Sequence, residues 1–405
     1  MAATTWKALL RSPGYARYFT ATAIARVPAA MWGVAVALLV LQRTGSLSLA
    51  GVTVAAGSLP AAVSGPWLGA WLDVARSRRA LMALDLLTGL AALVGLLLLA
   101  GHGPQWTLPL AGLAYGVTSP LSTGAFRSVL PELVGPELWA RANTMEATSV
   151  NLAYIVGPAV AGAIAGAAGP AAAVDVQMGL FAVTLALILT STVFELRAAE
   201  RPVGLKRTVV GGLKALWTIV PLRAVSAASL FSVMGWGALN VGFPAYAVLV
   251  GAGAHASGYL WAAISLGSVI SAFAFARFAA RLSTIALMAG SSVAMACSAA
   301  LWPLAGNLAV ALALVTLTGV LEGPALAAFF TVRQRYTPPA LRGQVFSTIS
   351  SFTLAGMAIG SGLAGPVHAA FGTAVTLLGF SALQLAAAVC LLSARMALRG
   401  AVAHA

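Results

Sequence analysis

The chain has 405 residues, of which 60% are hydrophobic and only 8% charged, with a formal net charge of +14. A soluble globular chain carries about a quarter charged residues, so this composition excludes a water-covered fold of such length and places the chain in lipid. Its apolar runs are long and unbroken rather than alternating, which selects helices over a closed barrel, the two arrangements that pair every backbone polar group inside a membrane.

The short basic stretch from Met1 to Pro13 leads into a full-length apolar run and reads as the approach to a first membrane helix, not a cleaved leader. A helix needs roughly 20 apolar residues to cross the hydrocarbon core. Twelve such spans are predicted, at 15–41, 48–72, 80–100, 106–128, 141–168, 171–194, 223–250, 256–277, 283–304, 308–331, 343–369 and 372–394. Span 1 holds Trp32 and Arg26; Arg26 is about eleven residues in, roughly 16 Å along the helix. An ionisable group at that depth is costly and is expected to face a partner or a cavity. Between spans 2 and 3 stands GAWLDVARSRRALMALD, residues 69–85, which gathers Asp73, Asp85, Arg76, Arg78 and Arg79 in a chain with only nine acidic residues. Span 4 reads YGVTSPLSTGAFRSV, with Tyr115 inside it and Arg127 at its end. Span 5 carries Glu146, shallow from the same side, and then GPAVAG with Gly157, Pro158 and Gly162. Asp175 lies near the far end of span 6.

The longest polar segment, 195–222, is predicted to link an N-terminal six-helix bundle, residues 1–194, to a C-terminal one, residues 223–405, with a short surface helix at 208–219. Span 7, MGWGALNVGFPAY, carries Trp236 and Asn240 among flexible points at Gly235, Gly237, Gly242 and Pro244. Span 10 carries Glu322 within GVLEGPA, where Gly323 and Pro324 favour a local break. Aromatic walls with few polar groups suit amphiphilic organic molecules. Trp32, Tyr115, Trp236 and Asn240 are therefore the substrate-cavity candidates, with plain helix packing the competing reading of each aromatic.

Twelve crossings put both termini on one side. That side then holds every one of the 23 basic residues except Arg43, on the other side, and Arg26, inside span 1. The positive-inside rule makes it the cytoplasm, so a multi-pass protein of the cytoplasmic membrane with both termini inside is expected. The charge is a topology signal, and no nucleic-acid partner is expected. Cys297 and Cys390 lie in apolar runs as packing residues. There is no Walker A pattern and no metal or haem spacing around the four histidines. No cofactor, no metal and no enzymatic role is expected, and a monomer is the expected state.

The chain also repeats itself. VGPELWARANTMEATSVNLAYIVGPAVAG, ending at Gly162, aligns with TPPALRGQVFSTISSFTLAGMAIGSGLAG, ending at Gly365, at an offset close to half the chain. Pro136 then meets Pro339, Gly157 meets Gly360, and Gly116 meets Gly319. The matched spans run in the same direction, so the halves are related by an axis along the membrane normal, an arrangement expected of two-bundle secondary transporters.

On Gly69 and Asp73 followed by the basic pair Arg78 and Arg79, the loop at 69–85 resembles the signature of the major facilitator superfamily. Val74 and Arg76 depart from that signature. The trailing Asp85, LPELVGPELWARAN at 130–143 and TPPALRGQVFS at 337–347 are similar to the branch of bacterial exporters that includes enterobactin and macrolide efflux proteins. The resemblance implies an all-α membrane protein of 12 transmembrane helices in two parallel-repeat six-helix bundles. It implies that the loop is an inner gate, with Asp73 against the start of span 11 near Gly343 and the arginines paired with Asp73, Asp85 or Glu132; a purely topological role for these charges is the alternative. GPAVAG resembles a Gly-Pro motif of exporters, with ordinary glycine packing as its alternative. Spans 1, 4, 7 and 10 would line the cavity, so Arg26 and Glu322 are expected to form a switchable pair, with Glu322 taking up a proton or a cationic group. Glu146 is expected to pair near the gate. An acidic residue in span 1 and a mid-membrane arginine in span 4, common in proton-coupled drug exporters of the superfamily, are missing here.

The expected function is secondary transport of a small organic molecule by alternating access, most simply proton-coupled efflux of a drug-like compound or metabolite. Nutrient uptake, or a non-transporting receptor, are the alternatives.

Overall fold

In a computed structural model of the chain, residues 6–74, 77–195, 214, 216–274, 283–337 and 342–403 are described, and their regular structure is helical. A short α1 (Trp6–Arg11) precedes α2 (Tyr15–Thr44), α3 (Leu47–Val74), α4 (Arg78–Leu99), α5 (Thr107–Thr118), α6 (Pro120–Leu133), α7 (Trp139–Ala168) and α8 (Pro170–Thr190). The second half contains α9 (Val220–Leu249), α10 (Ser257–Ala274), α11 (Thr284–Ala300), α12 (Leu308–Tyr336) and α13 (Arg342–Ala403). Most of the linker at 195–222, and with it most of the short helix expected at 208–219, lies outside the described residues.

Each predicted span falls on these helices, with two differences. Span 4 is divided: Ser119 separates α5 from α6, and Pro120, which has no N–H to continue the helical ladder, opens the second piece. Spans 11 and 12 are the two limbs of α13, turned at Gly372, whose φ of 80° and ψ of 179° suit only a residue without a Cβ. Among the described residues nine helices are long and apolar enough to cross a membrane, and one of them, Ser351–Ser393, runs 43 residues across that bend. Polar caps fix several starts: Ser77 accepts from the Ala80 N–H, Ser283 from that of Ala286, and Asn307 from that of Val310.

Each half has its own apolar core. The buried members of the largest one all lie between Leu9 and Phe194, and those of the other three between Leu216 and Leu391. Lipid gives helices no hydrophobic drive to associate, so close contact rests on small residues. The repeat is visible in how matched glycines are used. Gly116 presses α5 onto the Gly57 carbonyl of α3, and Gly319 presses α12 onto the Ile264 carbonyl of α10. Gly157 lays α7 against Ala30 of α2, and Gly360 lays α13 against Met234 of α9.

The halves meet through α3 with α13 and α7 with α10. Gly162 abuts Gly258 backbone to backbone, Gly51 abuts the Ser361 carbonyl, Gly365 abuts Ser48, and Gly33 abuts Asn240. These contacts lie toward the turns at Gly45, Gly169, Gly251 and Gly372, the end of the molecule away from both termini.

Candidate functional site

Arg26 reaches across the α2–α7 contact. One guanidinium nitrogen binds the Glu146 carboxylate and another the Ser149 hydroxyl. The Ser149 hydroxyl in turn donates to the Glu146 backbone carbonyl at 3.1 Å, so its oxygen is aimed at the Arg26 end of the pair. The side chains of Arg26 and Glu146 keep 17% and 13% of their surface exposed. The switchable pair expected between Arg26 and Glu322 is therefore corrected: Arg26 is taken by Glu146. The reason is topological, since α2 and α7 pack directly within the first half while Glu322 belongs to the second. Glu146 likewise pairs with span 1 rather than with the gate.

Glu322, on α12, accepts a hydrogen bond at 2.9 Å from the Ser268 hydroxyl of α10. Gly267 and Gly319 bring the two backbones together there. Among the described residues Glu322 has no ion-pair partner. Glu322 thus takes a serine hydroxyl on its carboxylate, whereas Ser149 reaches Glu146 only at its backbone carbonyl. Neither serine was singled out in the sequence. For Ser149 the signal is its i+3 spacing from Glu146, which puts both on one helix face.

The aromatic candidates are built differently from a bare cavity wall. Trp32 and Tyr115 stack with ring centroids 3.8 Å apart, and Trp32 donates to the Val54 carbonyl at 3.2 Å. Both are buried, and Gly57 provides the slot for the indole. They are therefore core contacts in this conformation, with packing the physical cause. Trp236 is half-buried, with Phe380 and Trp261 around it at centroid distances of 5.0 and 6.2 Å. Asn240 donates to the Ser361 hydroxyl at 3.3 Å, and that hydroxyl donates to the Gly237 carbonyl at 2.7 Å. With Gly33 against its amide, Asn240 is where α2 and α9 touch across the halves.

At the start of α4, Arg78 is buried and pairs with Glu132 of α6 at 2.8 Å. Arg79 pairs with Glu195 at 2.6 Å and donates to the Leu189 carbonyl, fastening α4 to the end of α8. Gly69 and Asp73 belong to α3, but their side-chain surroundings, like those of Gly343 and Arg127, lie outside the described residues. Among the described residues Asp85 pairs with neither Arg78 nor Arg79, and Arg76 lies outside them; Asp85 is buried in α4 facing Thr118 and Ser122. In GPAVAG, Gly157 makes the α7–α2 contact, Pro158 is buried within the helix, and Gly162 makes the contact between halves. Asp175 is exposed.

The family profile described as Major Facilitator Superfamily matches residues 18–361. The chain is 29% identical over 353 residues to the multidrug efflux pump Tap of Mycolicibacterium fortuitum, covering 85% of this chain and 86% of that one. It is 28% identical over 381 residues to an uncharacterized MFS-type transporter, y4rN, of Sinorhizobium fredii, covering 90% of each. Among solved structures it is similar to a bacterial homologue of the iron transporter ferroportin in an inward-facing state, with a TM-score of 0.71 at 16% identity over 94% of this chain and 98% of that one. It is also similar to the nucleoside transporter NupG, with a TM-score of 0.66 at 13% identity over 94% and 98%. Identities this low speak for the fold alone.

Proposed function

The chain belongs to the Major Facilitator Superfamily and is a multi-pass membrane transporter, and from this we propose that it exports a small organic molecule, a drug-like compound or metabolite, across the cytoplasmic membrane in exchange for protons. The observation that carries the reading is the contrast between two carboxylates in separate halves, Glu146 neutralised by Arg26 and Glu322 held by a serine alone among the described residues. An intramembrane carboxylate without a cationic partner is expensive, so a proton or a cationic substrate is the group expected to neutralise Glu322. The relation to multidrug efflux pumps supports export.

The bias of the basic residues to one side supports cytoplasmic termini. Among the described residues the glycine contacts between the halves lie toward the opposite end, which supports reading this conformation as inward-facing. Rocking the halves about their contact would break the Gly162–Gly258 approach and close the terminal side. Protein in liposomes carrying an internal pH dye tests the reading, with amphiphilic compounds added outside. Compound-dependent proton movement is expected, and Glu322→Gln abolishes it. Proton flux that survives Glu322→Gln removes coupling from Glu322; compound movement without proton flux removes proton exchange.

A further inference from the structure

Where span 1 begins and spans 4 and 6 finish, the first half holds a cavity of about 520 Å³. Its walls include Gly14, Ala16 and Arg17 at the start of α2, Leu133 at the end of α6, and Thr192 and Val193 just after α8. Small-molecule sites measure roughly 300–1,000 Å³, so it has room for a lipid headgroup. Ala16, Arg17 and Thr192 are exposed, so the cavity opens outward. Among the described residues Arg17 has no ion pair. The carboxylates nearest in the chain to the other walls are taken by α4: Glu132, beside Leu133, by Arg78, and Glu195, two residues after Val193, by Arg79. Gly14 gives α2 no side-chain cap, so the positive pole of that 30-residue helix adds to the Arg17 charge.

The chain enters this wall from α1, whose faces differ in chemistry. Trp6 and Leu10, four residues apart and so on one face, are 49% and 52% exposed. Lys7 and Arg11, also four apart, are exposed on the neighbouring face and have no ion pair among the described residues. Leu9 is fully buried and roots the helix on the bundle. The Arg141 guanidinium, at the start of α7, lies 5.9 Å from the Trp6 ring centroid and holds the ring at that edge. Exposed tryptophan at the ends of membrane spans belongs at the headgroup level. A face of Trp and Leu beside one of Lys and Arg suits a lipid surface carrying negative charge. A free phosphate would satisfy Arg17 but leave Trp6 and Leu10 in water. A phospholipid meets both needs, its phosphate on the basic side chains and its acyl chains against the apolar pair.

We propose that this corner is a binding site for an anionic phospholipid, with the headgroup in the cavity at Arg17 and α1 lying along the adjacent lipid. The occupied cavity ties the start of span 1 to the ends of spans 4 and 6. The site does not depend on the direction of transport or on Glu322.

The test is thermal unfolding of the purified full-length protein in non-ionic detergent, with phosphatidylglycerol replacing phosphatidylcholine stepwise at constant total lipid. A parallel arm uses inorganic phosphate without lipid. A saturable rise in Tm with phosphatidylglycerol is expected, and none with phosphatidylcholine. Arg17→Gln is expected to raise the lipid concentration needed for half the effect about fivefold, the worth of one basic residue at an anionic surface. Ala16→Trp, which fills the cavity and keeps every charge, is expected to do the same. Arg43→Gln, at the other end of the molecule, is expected to leave the response unchanged. Should Arg17→Gln not yield folded protein, the Ala16→Trp titration decides alone. Equal responses to the two lipids would overturn the assignment, as would a phosphatidylglycerol response kept in Arg17→Gln and Ala16→Trp, which would place the lipid elsewhere. An equal loss in Arg43→Gln would reduce the effect to net charge. A rise in Tm with inorganic phosphate as large as that with lipid, unmoved by Trp6→Ala with Leu10→Ala, would make the occupant a soluble anion.

Discussion

Gly162 of α7 lies against Gly258 of α10 so closely that a methyl group on either would overlap the other's backbone. The contact joins the two halves near the turns opposite the termini. Because neither position is followed by a flexible side chain that could give way, a larger residue has to push the helices apart. Overpacking of this kind costs about 1–3 kcal/mol, and about 1.4 kcal/mol changes a population ratio tenfold. Gly162→Leu is therefore expected to shift the protein out of the conformation described. Spin labels at Ser46→Cys and His368→Cys, with Cys297 and Cys390 replaced by Ala, would read a longer distance at that end. An unchanged distance distribution would mean the contact does not hold the halves.

Arg26 and Glu146 make a second, sharper prediction. Removing one partner of a largely buried pair leaves the other charge uncompensated, at about 3–5 kcal/mol, whereas removing both costs much less. Arg26→Gln and Glu146→Gln should each lower Tm strongly, and the double variant should recover a good part of the loss. Ser149→Ala should fall between, since the hydroxyl orders the pair without carrying charge. Additive losses in the double variant would show that the two side chains act separately.

Much of this fold is legible in the sequence, and the reasons are physical. Apolar run length locates the helices because the bilayer sets how long a crossing helix must be. The glycine matches between halves could also be read, since only a residue without a side chain permits such approach; Gly157 and Gly360 then proved to make the same contact in each half. The partners of the buried charges were not legible. Arg26 sits at mid-depth on a helix with neighbours in both halves, and nothing in its own segment distinguishes Glu146 from Glu322. The break in span 4 was hidden because its flanks stay apolar; Ser-Pro at 119–120 was the only signal. Asp85 was read with the loop because it follows the arginines, although α4 carries it two turns into the bundle.

Trp32 separates a packing role from a binding one. Its ring stacks on Tyr115, occupies the slot left by Gly57 and donates to the Val54 carbonyl. Trp32→Ala should cost about 3–5 kcal/mol of stability, as other large-to-small core substitutions do. Trp236, half-buried, should tolerate Trp236→Phe with little loss of Tm and with altered compound binding, followed by ligand-dependent shifts in Tm. A mild effect at Trp32 with loss of compound binding would return it to the cavity wall.

The matched pair Gly116 and Gly319 gives the most direct test of the repeat. In each half the glycine lets span 4 or span 10 rest on a carbonyl of a neighbouring helix, Gly57 of α3 in one case and Ile264 of α10 in the other. If the two contacts are the same structural element, Gly116→Ala and Gly319→Ala should destabilise to a similar degree, about 1–3 kcal/mol each. The sites lie in separate cores, so the double variant should show the sum. A large loss at one site and none at the other would mean that only one half relies on this approach. A double loss well beyond the sum would mean that the halves unfold as a single unit rather than as two bundles with independent cores.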